Sequence, residues 1–333
     1  MDFLVVGWVS IIAFCIIMYV ILDGFTLGTG LIMPFIQDEK ERSVLFSALL
    51  PTWDGNQTWL VLGTASLYGA FPLAFSFILP TLYLPLMVML MALLFRGIVF
   101  EFRLKAHGKV IRRWDRLFII GSYVATFIQG VVLGSFVRGF TGTIVNHSIP
   151  AYHWLSPFSL FTGFGLLFGY SLLGSTRMLL KTEGALQDKL FTLAKIFLVC
   201  VGVLMIIATL WTPFLDPHIK QKWFASGNTG TLIILPLVTI AAWFWALIAL
   251  SNKKESAPYW LTIGIFICGY AGFGYSLWPY IVPHVYTIWQ AAADRHSLGF
   301  IMVGACIMIP VLLVYTWFSY RIFRGKVKDV IHY

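Results

Sequence analysis

Charged side chains are scarce in this sequence: only 11% of the 333 residues are Asp, Glu, Lys or Arg, against roughly 25% in soluble domains. A water-soluble fold of that composition would expose more apolar surface than stays soluble. The four cysteines, Cys15, Cys200, Cys268 and Cys306, lie inside apolar runs with no C-x-x-C pair. They read as small buried hydrophobes, and imply neither a disulfide framework nor a zinc site. Histidine is missing from the middle of every apolar run. His107, His147, His153, His218, His284, His296 and His332 fall in links, tails or the outer edge of a run, so no facing pair is expected to hold a haem iron. P-loop, dinucleotide fingerprint, HExxH and nucleophile-elbow motifs are all absent. The sequence opens Met-Asp-Phe, without a basic n-region or an A-x-A site, so the first apolar run is expected to be retained.

What the sequence does have is apolar length. Hydrophobic residues make up 59% of it, and Phe, Trp and Tyr 17%, an aromatic excess suited to two membrane–water interfaces. Runs long enough to cross a bilayer lie near 4–35, 45–70, 74–100, 117–137, 155–176, 190–212, 231–250, 259–282 and 298–323. The expected fold is therefore an all-α polytopic membrane protein of about nine spans, a single domain packed as helical bundles. The first run exceeds one crossing and is expected to tilt or break around Gly28 and Gly30. Gly24 and Gly28 have the small-xxx-small spacing that admits a close neighbour.

The net charge of +9 does not imply nucleic acid, because the cations are spread over short links instead of one face. Alternate links, from Lys40 and Arg42 through the Arg103–Arg116 segment to the tail with Arg321, Arg324, Lys326 and Lys328, hold 17 of the 23 Lys and Arg; the opposite links hold four, Arg138, Lys220, Lys222 and Arg295. That bias puts the basic links in the cytoplasm, with the N-terminus outside and the C-terminus inside.

Ionisable groups within a span mark function by default. Asp23 lies in Leu22-Asp23-Gly24-Phe25, Asp54 in Trp53-Asp54-Gly55-Asn56-Gln57, and Arg96 in Phe95-Arg96-Gly97, with Glu101 following. Counted along continuous helices from the link at 37–43, the two aspartates differ in depth by only about 5 Å. Two buried acids at one depth suit a proton relay, with Asp54 about three turns into its span and Arg96 close to it. The plainer alternative is that Arg96 neutralises one aspartate in a structural ion pair. Lys195 reaches the interface by snorkelling, and Glu101 is the weaker candidate, at a helix end.

Several segments together resemble a known family. Tyr19-Val20-Ile21-Leu22-Asp23-Gly24-Phe25 with Leu27-Gly28, then Trp53-Asp54-Gly55-Asn56-Gln57, then Phe95-Arg96-Gly97 through Glu101-Phe102-Arg103, are similar to the first three spans of subunit II of the cytochrome bd-type quinol oxidases, the cyanide-insensitive branch included. Tyr275–Pro283, Thr287–Ala292, Val311–Thr316 and Phe323–Val327 resemble its eighth and last spans. Residues 120–250 add nothing comparable, and Thr26 stands where the family often has a second acid.

The resemblance implies a respiratory complex of the bacterial cytoplasmic membrane that oxidises quinol and reduces dioxygen to water. It implies two b-type haems and haem d in a partner, subunit I, with a small single-span accessory subunit, lipid and quinone as further associates. This chain itself would ligate no cofactor or metal. Asp54 and Asp23 would relay protons, with Trp53, Asn56 and Arg96 in support. A proton-coupled secondary transporter, expected to show inverted repeats, and a purely structural subunit are the competing readings.

Overall fold

The computed structural model describes residues 2–140, 152–215, 217–224 and 229–327, and their side chains except at 217, 218, 224 and 229–232. His147, His332 and Lys328, named above, lie outside the described residues, as does the side chain of His218. The chain runs α1 (Asp2–Ile32), α2 (Glu39–Leu49), α3 (Trp53–Ala70), α4 (Pro72–Thr81), α5 (Tyr83–Phe102), α6 (Lys109–Arg138), α7 (Pro157–Leu179), α8 (Gly184–Trp211), α9 (Pro217–Phe224), α10 (Thr229–Ser251) and α11 (Ala257–Leu277). A short hairpin follows, β1 (Tyr280–Val282) antiparallel to β2 (Tyr286–Thr287), then α12 (Ile288–Ala291) and α13 (Arg295–Ile322).

Eight helices among the described residues are long and apolar enough to cross a membrane. The expected second span, 45–70, is where the count of nine departs. Pro51 lacks the N–H that would continue a helix, so the segment divides into α2 and the 18-residue α3, whose first turns carry Asp54, Asn56 and Gln57. The expected third span divides in the same way, into the ten-residue α4 and then α5, which makes the crossing. The eighth stops at Leu277, since the prolines at 279 and 283 leave its last residues to the hairpin.

α1 is unbroken through Gly28 and Gly30, so of the two expected alternatives the break does not occur. Those glycines serve packing instead. A Cβ at Gly28 would collide with the carbonyl oxygen of Tyr170, and one at Gly174 with the backbone of Gly28. Thus α1 and α7 cross backbone on backbone, the close approach the small-residue spacing allows. Around this pair stand α3, α6 and α13, with α5 against α6, α8 against α7, and α10 against α11.

The five basic links share one end of the bundle. Lys189 pairs with Glu41 at 2.7 Å, Lys253 with Asp188 at 2.7 Å, and Arg112 with Glu39 at 3.4 Å. The segment after α13 is strapped to the same end: Lys181 Nζ donates to the Phe323 carbonyl, Val327 N donates to Lys181 O at 2.9 Å, and Lys326 meets Glu255 at 2.9 Å. The poorly charged links share the other end, where Ala293 N donates to Ala70 O at 2.9 Å and Lys222 Nζ donates to Trp278 O.

Candidate functional site

Two groupings of polar side chains lie between the helices. In the first, Arg96 Nη2 donates to Asp23 Oδ1 at 2.9 Å and Oδ2 at 3.0 Å, and both side chains are fully buried. Tyr19, also buried, lies one turn before Asp23 on α1. The Tyr19 hydroxyl accepts from Gln129 Nε2 at 2.7 Å, and the Tyr170 hydroxyl donates to Gln129 Oε1 at 3.1 Å. The ion pair thus joins α1 to α5, and the Tyr19–Gln129–Tyr170 chain joins α1 to α6 and α7. Among the described residues Arg96 makes no ion pair with Asp54: the guanidinium goes to Asp23, whose buried carboxylate would otherwise be an unpaired charge.

The second grouping surrounds the start of α3. Asn56 Nδ2 donates to Leu22 O at 2.9 Å and to Thr26 Oγ1 at 3.3 Å, while its Oδ1 accepts from the Tyr320 hydroxyl at 2.8 Å. Thr26, standing at the second-acid position, is therefore an Asn56 partner. Trp53 stacks on Phe100 with ring centroids 4.5 Å apart and planes 10° apart.

Asp54 differs from its expected setting. It lies in the first turn of α3, not three turns into a continuous span, because the helix restarts at Trp53. An acid in that turn complements the helix N-terminus. Its side chain is exposed on the face that also carries Val61 and Tyr68, 66% and 63% exposed. Among the described residues it makes no ion pair, and nothing links it to Asp23. Glu101 is also exposed, one turn beyond Gly97, the residue under the Trp53 ring.

Sequence reasoning missed Asp115. It is 1% exposed, its Oδ1 accepts from Arg103 Nε at 2.5 Å, and Arg42 lies 3.9 Å away. Beside it, Gln37, Asp38, Glu39, Arg42 and Arg112 line an open basin of about 510 Å³ at the basic end. A signal was present, a lone acid within Arg112-Arg113-Trp114-Asp115-Arg116, but charges crowd that link. Gln129 and Tyr320 were missed as well, although a glutamine within an apolar run marks itself as polar at depth. Arg177, whose guanidinium lies 5.1–5.2 Å from the ring centroids of Phe25, Tyr259 and Tyr320, makes no ion pair among the described residues.

His107, His153 and His284 lie in links and His296 in the first turn of α13, and no three His, Cys, Asp or Glu among the described residues converge on a metal position.

A family model for the cytochrome bd terminal oxidase subunit II matches residues 4–323. Cytochrome bd ubiquinol oxidase subunit 2 of Bacillus subtilis 168 is 27% identical over 341 residues, 96% of each chain. Cytochrome bd-I ubiquinol oxidase subunit 2 of Escherichia coli K12 is 23% identical over 367 residues, covering 97% of this chain and 95% of that one. The bd oxidase of Geobacillus thermodenitrificans has the same fold, with a TM-score of 0.81 at 14% identity over 96% of this chain and 98% of that one.

Proposed function

We propose that this chain, which belongs to the cytochrome bd terminal oxidase subunit II family, brings protons from the cytoplasm to its partner, subunit I, through Asp54. It is a multi-pass membrane subunit of a respiratory quinol:oxygen oxidoreductase. The partner's two b-type haems and haem d supply the oxygen chemistry. This chain's part is to hold and pass protons, since dioxygen reduced to water must be given them.

The observation that carries the reading is Asp54 itself. An ionisable group on an exposed face of α3 that carries no other charge is costly against lipid. Facing a protein neighbour, it would be shielded from lipid and placed to hand a proton across the subunit boundary. Glu101, on the same side of α5 as the Trp53 ring, stands on the approach from the basic end. That end faces the cytoplasm by the positive-inside bias, in the bacterial inner membrane. Quinone, lipid and a single-span accessory subunit bind the assembled complex.

Asp23 takes a different part from Asp54. Paired with Arg96, it holds α1 against α5 as a buried ion pair, which is the structural reading for this one residue.

The test is Asp54→Asn in the assembled oxidase. Oxygen consumption is expected to fall well over ~10-fold, since a positioned acid–base group is typically worth 10²–10⁴-fold. Haem bands and subunit ratio should stay as they are. An assembled variant that turns over at the normal rate removes the relay.

A further inference from the structure

Trp53 stacks on Phe100, Phe100 stacks in turn on Phe46 with centroids 5.0 Å apart and planes 24° apart, and the Arg103 guanidinium lies 4.5 Å from the Phe46 centroid. Phe118 closes the side of this stack, edge-on to Phe46 at 5.7 Å and to Phe100 at 5.3 Å. Phe46, Phe100 and Phe118 are at most 1% exposed. Beyond them, Arg103 is pinned by Asp115 at 2.5 Å and by Ser43 Oγ at 3.2 Å. At the other end the indole lies over Gly97, 3.6 Å from where a Cβ would be, an ordinary contact distance. The segments Trp53–Gln57 and Phe95–Arg103, far apart in sequence, are thus two sides of one contact.

We infer that Phe100 is a positioning residue for Asp54, acting through the stack Trp53–Phe100–Phe46–Arg103, which anchors the start of α3 to the Arg103–Asp115 pair at the basic end. This rests on the reading of Asp54 as the relay.

The physical need follows from the chain break. α3 restarts at Trp53 after Pro51, so no helix runs on from the preceding segment to brace the first turn of α3, which carries Asp54. A side chain that passes protons must be held close to the productive geometry, because misplacement by about 1 Å can cost on the order of 10²-fold in rate. The residue before Asp54 supplies that hold. Its ring lies flat on a buried ring, and the buried ring is carried by α5 and braced by α2 and α6. Offset stacking resists tilting as well as separation.

The test uses the purified two-subunit oxidase with Phe100→Leu, which keeps apolar bulk but removes the ring face, and Phe100→Tyr, which restores the face. Asp54→Asn is measured alongside. For Phe100→Leu, kcat is expected to fall ~10-fold or more, with a displaced pH profile of turnover, an unchanged KM for quinol and intact haem bands. Phe100→Tyr should recover most of the rate. If Asp54→Asn is inactive while Phe100→Leu keeps the normal kcat and pH profile, the inference is wrong and the relay stands. If Asp54→Asn is fully active, the relay itself fails, and Phe100 has nothing to position. Should Phe100→Leu not assemble, Trp53→Leu at the half-buried end of the stack decides: a displaced profile supports the inference and an unchanged one overturns it.

Discussion

Arg96 holds Asp23 through a single nitrogen, Nη2, which reaches both carboxylate oxygens, and leaves its own Nε and Nη1 buried without a hydrogen-bond partner among the described residues. The pair neutralises two charges but does not saturate the guanidinium. Removing one partner of a buried pair typically costs about 3–5 kcal/mol, since the other is left charged and alone. Asp23→Asn and Arg96→Gln are each expected to lower the melting temperature of the complex and its yield. The double variant should recover much of the loss. Single variants as stable as the parent would show that the pair does not hold α1 to α5.

At the α1–α7 crossing, Gly28→Ala adds one methyl where the Tyr170 carbonyl already sits. Overpacking commonly costs 1–3 kcal/mol, on the order of the net stability of a weak helix pair. Because the obstacle is backbone, no rotamer change relieves it. Gly28→Ala should reduce assembled complex sharply, read as co-purified subunit I, whereas Gly264→Ala, with open space around its Cβ position, should not. Equal yields for the two would contradict the crossing.

The strap after α13 gives a pH dependence. Burial, and then the neighbouring Arg177, push the Lys181 ammonium down to about 8 from its usual 10.5. The folded state then binds fewer protons than the unfolded state between those values, so stability rises with pH across that window. The cost of charging Lys181 is fully present below pH 8 and gone above pH 10.5. Melting curves of the complex at pH 7.5 and 9.5 are expected to show less upward drift for Lys181→Met than for the parent. Identical drift would remove Lys181 as the source.

Orientation is open to direct measurement. Reporter fusions after Arg116 should be active as cytoplasmic fusions and those near His147 as periplasmic ones. The reverse would turn the bundle over and put Asp54 on a route from the wrong compartment.

The spans and the two ends were legible because they depend on quantities summed over many residues: apolar length, and Lys and Arg counts per link. Asp23 and Arg96 were legible as charges that must be satisfied at depth. Which aspartate Arg96 would take was not, since sequence distance carries no information about facing helices. The restart at Pro51 was written in the chain, yet an apolar run of sufficient length masks a break that leaves its hydropathy unchanged. Asp115 was hidden for the opposite reason, because among so many cations it reads as a solvated link residue. Phe100 could not be singled out, as aromatic residues at helical spacing are common throughout these helices.

The backbone contact between Gly28 and Gly174 also sets where this subunit is stiff. Two helices with a side-chain layer between them can slide as rotamers exchange, but two in backbone contact have no such lubricating layer. Phe25 and Arg177, one on each helix, therefore move together if they move at all. The start of α3 is held to α1 differently, through the Asn56 hydrogen bonds and the aromatic stack, contacts that can stretch or tilt. Any motion accompanying turnover is thereby steered away from the α1–α7 keel and towards the strand of chain that carries Asp54.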